Sequence, residues 1–263
     1  ILTGQGVTEV LLESGVTVGV RLADGEEVRA PVVVCNGDPF RMRQLVGREQ
    51  LPPDYNVKLD GLERDGTTFK VNLALSGLPR FTCLPEDRGQ FGTTIHLLPD
   101  EADVMRSLHE GFAATRAGQL AEFPTIEWYI HTTVDPSLRD AEGRHNSALF
   151  VQWVPYELSG TTWEAEEERY IRHLLSICDR FAPGTSDLVV DTFALTPPKI
   201  ERHFGIHRGH IHHVDNAFGF TDRVPYATPI QGLYSCSAGC HPAGSVIGAA
   251  GHNAAQRVLR DGA

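Results

Sequence analysis

A chain of 263 residues with a net charge of −11 and no basic run is a poor partner for the phosphate backbone of nucleic acid. The five cysteines form no CxxC pair, which argues against a disulfide framework, and no apolar run approaches the ~20 residues of a membrane span. We therefore expect a globular protein of a reducing, cytoplasmic compartment, without a nucleic-acid partner or a membrane span.

Four strand patterns and a short helix open the chain. The strand patterns cover residues 7–12, 16–22, 26–29 and 31–35. The Asp24-Gly25 turn favours a β-meander, and the continuous apolar run 31–35 is typical of a buried parallel strand. Asn36-Gly37-Asp38-Pro39 then leads into a helix, which puts a loop at the carboxyl edge of a sheet, where α/β sheets bind ligands.

The middle of the chain alternates apolar with polar residues, as in a sheet with one covered face. Strand patterns lie at residues 67–75, 93–97, 125–130, 148–154 and 188–195. A helix after residue 100 is predicted to bury Val104, Met105, Leu108 and Phe112. A second helix begins at the capping box Thr161-x-x-Glu164, and its apolar stripe comprises Tyr170, Ile171, Leu174, Cys178 and Phe181.

The end of the chain reads as a strand, a Gly/Pro-rich turn and a helix of small residues starting near Ser245. Glycines 239, 244 and 248 allow close backbone approach, and a helix N-terminus favours an anionic or electron-accepting group. A phosphate loop is incomplete here because Lys is missing. The alternative interpretation is close helix–strand packing without a ligand.

A family resemblance supports the ligand interpretation. The pattern Gly-Leu-Tyr-x-Cys-x-x-Gly-x-His-Pro-x-Gly-x-Val-x-Gly-Ala-x-Gly-x-Asn-Ala-Ala at 232–255 resembles the C-terminal FAD-binding segment of phytoene desaturase-like FAD-dependent oxidoreductases. Within them it is similar to the subgroup of pyridine nucleotide-disulphide oxidoreductase domain-containing proteins. Further similar segments, at 7–10, 19–25, 32–36, 133–138, 154–156, 195–198 and 201–205, follow the family's order.

The resemblance implies an α/β (mixed α+β) fold in three segments. Residues 1–47 and 216–263 would form an incomplete FAD-binding Rossmann-like layer with a β-meander, and residues 48–215 an inserted mixed-sheet substrate domain. The fingerprint Gly-x-Gly-x-x-Gly does not occur. We therefore expect the C-terminal portion of a longer flavoprotein, in which FAD belongs to the intact parent and is absent from this piece. Its exposed sheet edge would allow a homodimer.

The resemblance also implies the residues that contact the cofactor. Val7 would offer backbone to the adenine, and Asn36 and Asp38 would lie on a loop beside the FAD. The second group runs along the pyrophosphate, ribityl chain and isoalloxazine and comprises Ser237, Ala238, Gly239, His241, Pro242, Gly244, Val246 and Ile247. The alternative interpretation of Val7 and Val246 is that they pack in the hydrophobic core. Ser237 stands where the family usually has Gly.

Histidines are concentrated at residues 203, 207, 210, 212 and 213. A strand at 209–213 is predicted, on which His213 would face the flavin as a candidate general acid or base, with His241 as the other candidate. A zinc site built from this cluster with Cys236, Cys240 and His241 is the alternative. Neither HExxH nor paired CxxC supports it, so no metal is expected.

The favoured function is FAD-dependent oxidation of an apolar small molecule, with hydride passing from a substrate C–H bond to flavin N5. The catalytic residues beyond the two candidate histidines are not defined by any motif. The alternatives are a non-catalytic protein-interaction module that has lost FAD, and the zinc-binding protein.

Overall fold

The computed structural model describes residues 1–99, 103–217, 222–244 and 246–262. The chain forms two compact units, unit 1 from Ile1–Asp65 with Phe204–Ala263, and unit 2 from Gly66–His203. The sequence placed the corresponding boundaries at residues 47 and 216. They differ because Tyr55, Leu59 and Val214 share a buried cluster with Phe40 of unit 1. The assignment of the two units to cofactor and substrate stays a prediction.

The structure is α/β with several sheets, as expected. The strands are β1 (Val7–Glu13), β2 (Val16–Leu22), β3 (Glu27–Arg29), β4 (Val33–Cys35), β5 (Thr68–Leu75), β6 (Ile95–Leu97), β7 (Thr125–Ile130), β8 (His145–Gln152), β9 (Val189–Leu195) and β10 (Leu233–Ser235). The helices are α1 (Pro39–Val46), α2 (Pro53–Asp60), α3 (Val104–Arg116), α4 (Trp163–Phe181), α5 (Thr185–Leu188), α6 (Pro197–Phe204) and α7 (Ala249–Arg260). No helix in the described ranges is both long and apolar enough to cross a membrane.

Unit 1 contains the predicted meander and a parallel strand pair. β1, β2 and β3 pair in that order and antiparallel, whereas β10 pairs with β4 in parallel. The meander follows from the turns at Gly15 and Gly25, whose positive φ angles of 79° and 90° suit glycine. The parallel pair joins segments about 200 residues apart, so its register comes from packing against the buried cluster rather than from a local turn.

Unit 2 contains a five-stranded sheet in the order β6-β7-β8-β5-β9, and its four pairings are antiparallel. The predicted apolar stripe of α4 covers one face of the sheet, where the Phe69 ring packs against Trp163 and Tyr170 at 5.4 and 6.1 Å. Thr162 rather than Thr161 caps α4, by accepting a hydrogen bond from Ala165 N.

Two local expectations were wrong. On α3 the side chains of Met105 and Phe112 are 66% and 51% exposed, and Phe112 makes an edge contact with the Trp153 ring at 5.3 Å. Residues 209–213 form turns instead of a strand, because Arg208 and His213 adopt left-handed φ angles of 50° and 66°. The last helix begins at Ala249, and the start expected near Ser245 falls outside the described residues.

Candidate functional site

Two loops lie side by side at the carboxyl ends of β4 and β10. The first loop, residues 36–38, follows β4, and the second loop, residues 236–244, follows β10. The parallel register sets Ser235 opposite Cys35, and Cys236 N donates to Cys35 O at 2.9 Å. This is the edge at which parallel strands of α/β proteins hold ligands.

Asp38 of the first loop is a buried carboxylate that is fully engaged by backbone. It is 2% exposed, and its Oδ1 accepts from Phe40 N at 2.9 Å and Arg41 N at 2.8 Å. Its Oδ2 accepts from His207 N at 2.9 Å. Asp38 therefore caps α1, complements the positive end of that helix and attaches the 207 segment to the first loop.

Replacing Asp38 by asparagine should lower the free energy of unfolding by about 2 kcal/mol. Asparagine keeps one oxygen for the cap, but its NH₂ group then opposes the His207 N–H, so one buried donor loses its acceptor. Asp135→Asn is the matched control, because Asp135 caps a short turn at an exposed position, with Ser137 N at 3.0 Å. Urea unfolding followed by far-UV circular dichroism checks this, and equal small losses in both variants would contradict it.

A side chain at either of two glycines of the second loop would make a close contact. Ser237 is fully buried, and its Oγ accepts from Gly239 N at 3.1 Å. A Cβ on Gly239 would lie 3.2 Å from that Oγ, and a Cβ on Gly244 would lie 2.8 Å from Nδ1 of His212. The Ser237 hydroxyl, which has no counterpart in the family's usual glycine, thus stabilises the loop from within.

Arg223 connects the second loop to the histidine segment, and no sequence pattern pointed to it. It is 4% exposed, and its guanidinium donates to four backbone carbonyls and one amide. The acceptors are Ala238 O at 2.8 Å, Asn216 Oδ1 at 3.1 Å, His212 O at 3.2 Å, Cys240 O at 3.3 Å and Asp215 O at 3.4 Å. Burial lowers the pKa of Arg223, and carbonyl dipoles solvate its charge in place of water.

The histidines next to this arginine are neutral and partly unpaired. Burial lowers the pKa of His210, His212 and His213, and His210 Nδ1 accepts from His212 N at 3.2 Å. The Nδ1 atoms of His212 and His213 are buried and have no partner among the described residues. Buried polar atoms are normally satisfied, so these two nitrogens are candidates for hydrogen bonds to a ligand.

Three cysteines lie near the same strand ends. Burial raises the pKa of Cys35, Cys236 and Cys240, so all three remain thiols at neutral pH. Cys240 Sγ donates to Ser235 Oγ at 3.3 Å. No cluster of three or more His, Cys, Asp or Glu side chains suited to a metal occurs in the described ranges.

The structure brings most of the predicted cofactor residues into the two adjoining loops. Asn36, Asp38 and the second-loop residues Ser237, Ala238, Gly239, His241, Pro242 and Gly244 lie there. Val246 is fully exposed and Ile247 is 64% exposed beyond the second loop, while Val7 is 41% exposed on β1 opposite Leu22. Val7 and Val246 are therefore not residues of the hydrophobic core. The cofactor contacts of all these residues stay predictions.

A helix of unit 1 supports the second loop through contacts that sequence reasoning missed. The Tyr226 hydroxyl donates to the His241 carbonyl, and Asn253 of α7 donates to Tyr226 Oη at 2.9 Å. His241 itself is exposed. No sequence pattern predicts the hydrogen bond between Tyr226 and Asn253, which are 27 residues apart, because it depends on how α7 packs.

The chain is similar to a curated protein along almost its whole length. No protein-family model matches the chain. Pyridine nucleotide-disulfide oxidoreductase domain-containing protein 2 of Mus musculus is 35% identical over 278 residues, which cover 99% of this chain and 47% of that protein. The chain thus spans about half the length of the relatives it matches.

Two solved structures resemble the fold. An oxidoreductase from Methanosarcina mazei superimposes with a TM-score of 0.53 at 18% identity, over 90% of this chain and 44% of its own. A triple mutant of putrescine oxidase, from a redesign of cofactor binding, gives a TM-score of 0.56 at 16% identity, over 97% of this chain and 48% of its own. At these identities the likeness concerns the fold alone.

Proposed function

Since the chain belongs to the family of FAD-dependent oxidoreductases that includes pyridine nucleotide-disulfide oxidoreductase domain-containing protein 2, we propose that it supplies the flavin-ring part of an FAD site. The enzyme would transfer a hydride from a C–H bond of an apolar small molecule to flavin N5. The observation that carries the proposal is the pair of glycine-spaced loops at the carboxyl ends of β4 and β10.

The residues present fit such a cofactor. A Cβ on Gly244 would lie 2.8 Å from His212 Nδ1, and the buried Nδ1 atoms of His212 and His213 lack partners in the described part of the chain. Gly248 precedes α7 without a side-chain cap, so the partial positive charge of that N-terminus remains available to an acceptor. Residues 237–239 would hold the pyrophosphate and ribityl part, and residues 241–247 the isoalloxazine.

FAD, when bound, supplies the hydride acceptor, and the protein's part is orientation, electrostatics and exclusion of water. Arg223 holds the Ala238 and Cys240 carbonyls of the second loop and so fixes the path of that loop. His213 Nδ1 is the candidate proton acceptor, because burial keeps that imidazole neutral while the Asp38 carboxylate favours its protonated form. His241 in the second loop is the exposed alternative.

The full-length gene product that contains this chain tests the proposal. We expect it to purify with flavin absorption near ~450 nm, and the 263-residue chain alone to be colourless because it lacks the ADP-binding fingerprint. A full-length product that stays colourless and does not take up added FAD would reject the proposal. That outcome would favour the non-catalytic interaction module.

Gly244→Ala should weaken flavin binding by the full-length product about tenfold or more, which corresponds to about 1.4 kcal/mol. The added Cβ would lie 2.8 Å from His212 Nδ1, so the imidazole ring or the loop backbone would have to shift. Gly251→Ala is the control, since a Cβ there meets nothing within 4 Å and alanine favours helix α7. Fluorescence titration with FAD measures both. Equal affinities in the two variants would place the cofactor elsewhere.

A further inference from the structure

The second face of the unit 2 sheet carries a set of polar and aromatic side chains. The first face is apolar, and its β5 residues Phe69, Val71, Leu73 and Leu75 are at most 2% exposed. On the second face the pairing aligns Glu127, Phe150, Lys70 and Leu195 in one cross-strand row. The next row contains Tyr129, Ala148, Asn72 and Phe193.

Lys70 is the central cation of this face and has no polar partner within the described residues. Its Nζ lies 5.1 Å from the centroid of the Tyr129 ring and 5.9 Å from that of Phe150. The other two lysines are engaged, Lys199 with Glu167 at 2.6 Å and Lys58 with the Arg223 carbonyl at 3.4 Å. Burial lowers the pKa of Lys70 because it removes water from the ammonium group. A bound anion would stabilise the charged ammonium in place of that water.

In the described part of the chain, the neighbouring titratable groups form no hydrogen bond or ion pair with the Lys70 ammonium. The Glu127 carboxylate accepts a hydrogen bond from the Tyr129 hydroxyl. Its negative charge raises the pKa of Lys70, but burial lowers that pKa by more. His131 stacks on the Tyr129 ring at 5.8 Å, and burial together with Lys70 lowers its pKa, so it is neutral at pH 7. The ammonium therefore lies against two aromatic rings and, among the residues that the structure describes, has no ion-pair partner in direct contact.

A cavity of about 250 Å³ begins one row away from Lys70 on the same side of the sheet. Asn72, Ala74 and Phe193 contribute to its floor and Leu138 to its wall. Of its charged groups, Arg144 is paired with Asp140 at 3.5 Å, and Asp191 Oδ1 accepts from Thr192 N at 2.8 Å. The volume is below the range of about 300–1,000 Å³ for drug-sized ligands, so it suits a small or chain-like molecule.

We propose that this face binds a small amphiphilic carboxylate, with its carboxylate on Lys70 Nζ and its apolar chain over Ala74 and Phe193. Lys70 is a point charge with three donors on an aromatic floor, and partial burial strengthens its attraction for an anion. The inference deepens the proposed function by naming the substrate class, and it rests on that function only in treating the bound carboxylate as a substrate.

Calorimetric titration of the 263-residue chain with octanoate tests the inference, with octanol and octylammonium as probes of equal chain length. We expect saturable octanoate binding that is at least tenfold tighter than octanol binding, and no octylammonium binding. Lys70→Met should weaken octanoate binding about tenfold or more, and Lys70→Arg should retain it within about threefold. Lys199→Met is the matched control, because it removes a lysine of the same unit that is already paired with Glu167.

Equal binding of octanoate and octanol by the wild-type chain would overturn the inference without any variant, as would absence of saturable octanoate binding. Unchanged octanoate affinity in a folded Lys70→Met variant would overturn it too. The flavin content of full-length Lys70→Met separates the two proposals. Octanoate binding without flavin in the full-length wild type rejects only the proposed function, whereas flavin without octanoate binding rejects only this inference.

Discussion

Replacing Arg223 by methionine should lower the free energy of unfolding of unit 1 by about 3 kcal/mol. The methionine keeps much of the apolar stem but leaves the part-buried carbonyl oxygens of His212 and Ala238 without this donor, whereas Cys240 O still accepts from Ala243 N at 2.7 Å. Unsatisfied buried acceptors cost about 1–3 kcal/mol each, and partial relaxation of the loops limits the sum. The same change should disorganise the second loop.

The positions of the tryptophans allow the unfolding of unit 2 to be followed separately from that of the whole chain. All three, Trp128, Trp153 and Trp163, lie in unit 2, so tryptophan fluorescence follows that unit while far-UV circular dichroism follows both. In Arg223→Met the dichroism midpoint in urea should fall while the fluorescence midpoint stays near that of the wild type. Arg172→Met is the control, with a change within about 0.5 kcal/mol, because Arg172 is 71% exposed and only 3.6 Å from Glu168. A fall in the fluorescence midpoint alone would contradict the assignment.

Gly232→Ala should also lower the free energy of unfolding of unit 1 by about 3 kcal/mol or more. Gly232 has a φ of 82°, and a Cβ there would lie 2.5 Å from the Pro31 carbonyl oxygen. Because the Gly232 carbonyl accepts from Val33 N at 2.9 Å, any shift that relieves the clash disturbs the pairing of β4 with β10. The two loops of the candidate site would then separate.

Gly15→Ala separates the clash from the backbone cost of the substitution. Gly15 has nearly the same φ, 79°, but a Cβ there meets nothing within 4 Å. Its loss should be about 1 kcal/mol, the usual penalty of a left-handed conformation for alanine. The dichroism midpoint in urea compares the two variants. Similar losses would show that steric contact with Pro31 is unimportant for the strand pair.

Local sequence patterns were sufficient for several elements. The Asp24-Gly25 turn and the alternating residues around it predicted the meander of β1 to β3, and the stripe containing Tyr170 and Leu174 predicted the buried face of α4. These succeeded because turn chemistry and side-chain periodicity act over a few residues. The burial predicted for α3 was wrong, since an amphipathic pattern shows which side of a helix is apolar but not whether another element covers it.

The sequence by itself determined the class of fold, most strand and helix positions and the family, because these follow from short-range patterns and from the long run at 232–255. Only the tertiary structure decided which groups meet. Arg223 stands between the loops and the histidines, and Lys70 lacks a polar partner on its sheet face within the described residues. Both results depend on contacts between segments far apart in the chain, where burial and hydrogen-bond satisfaction, rather than local propensity, set the arrangement.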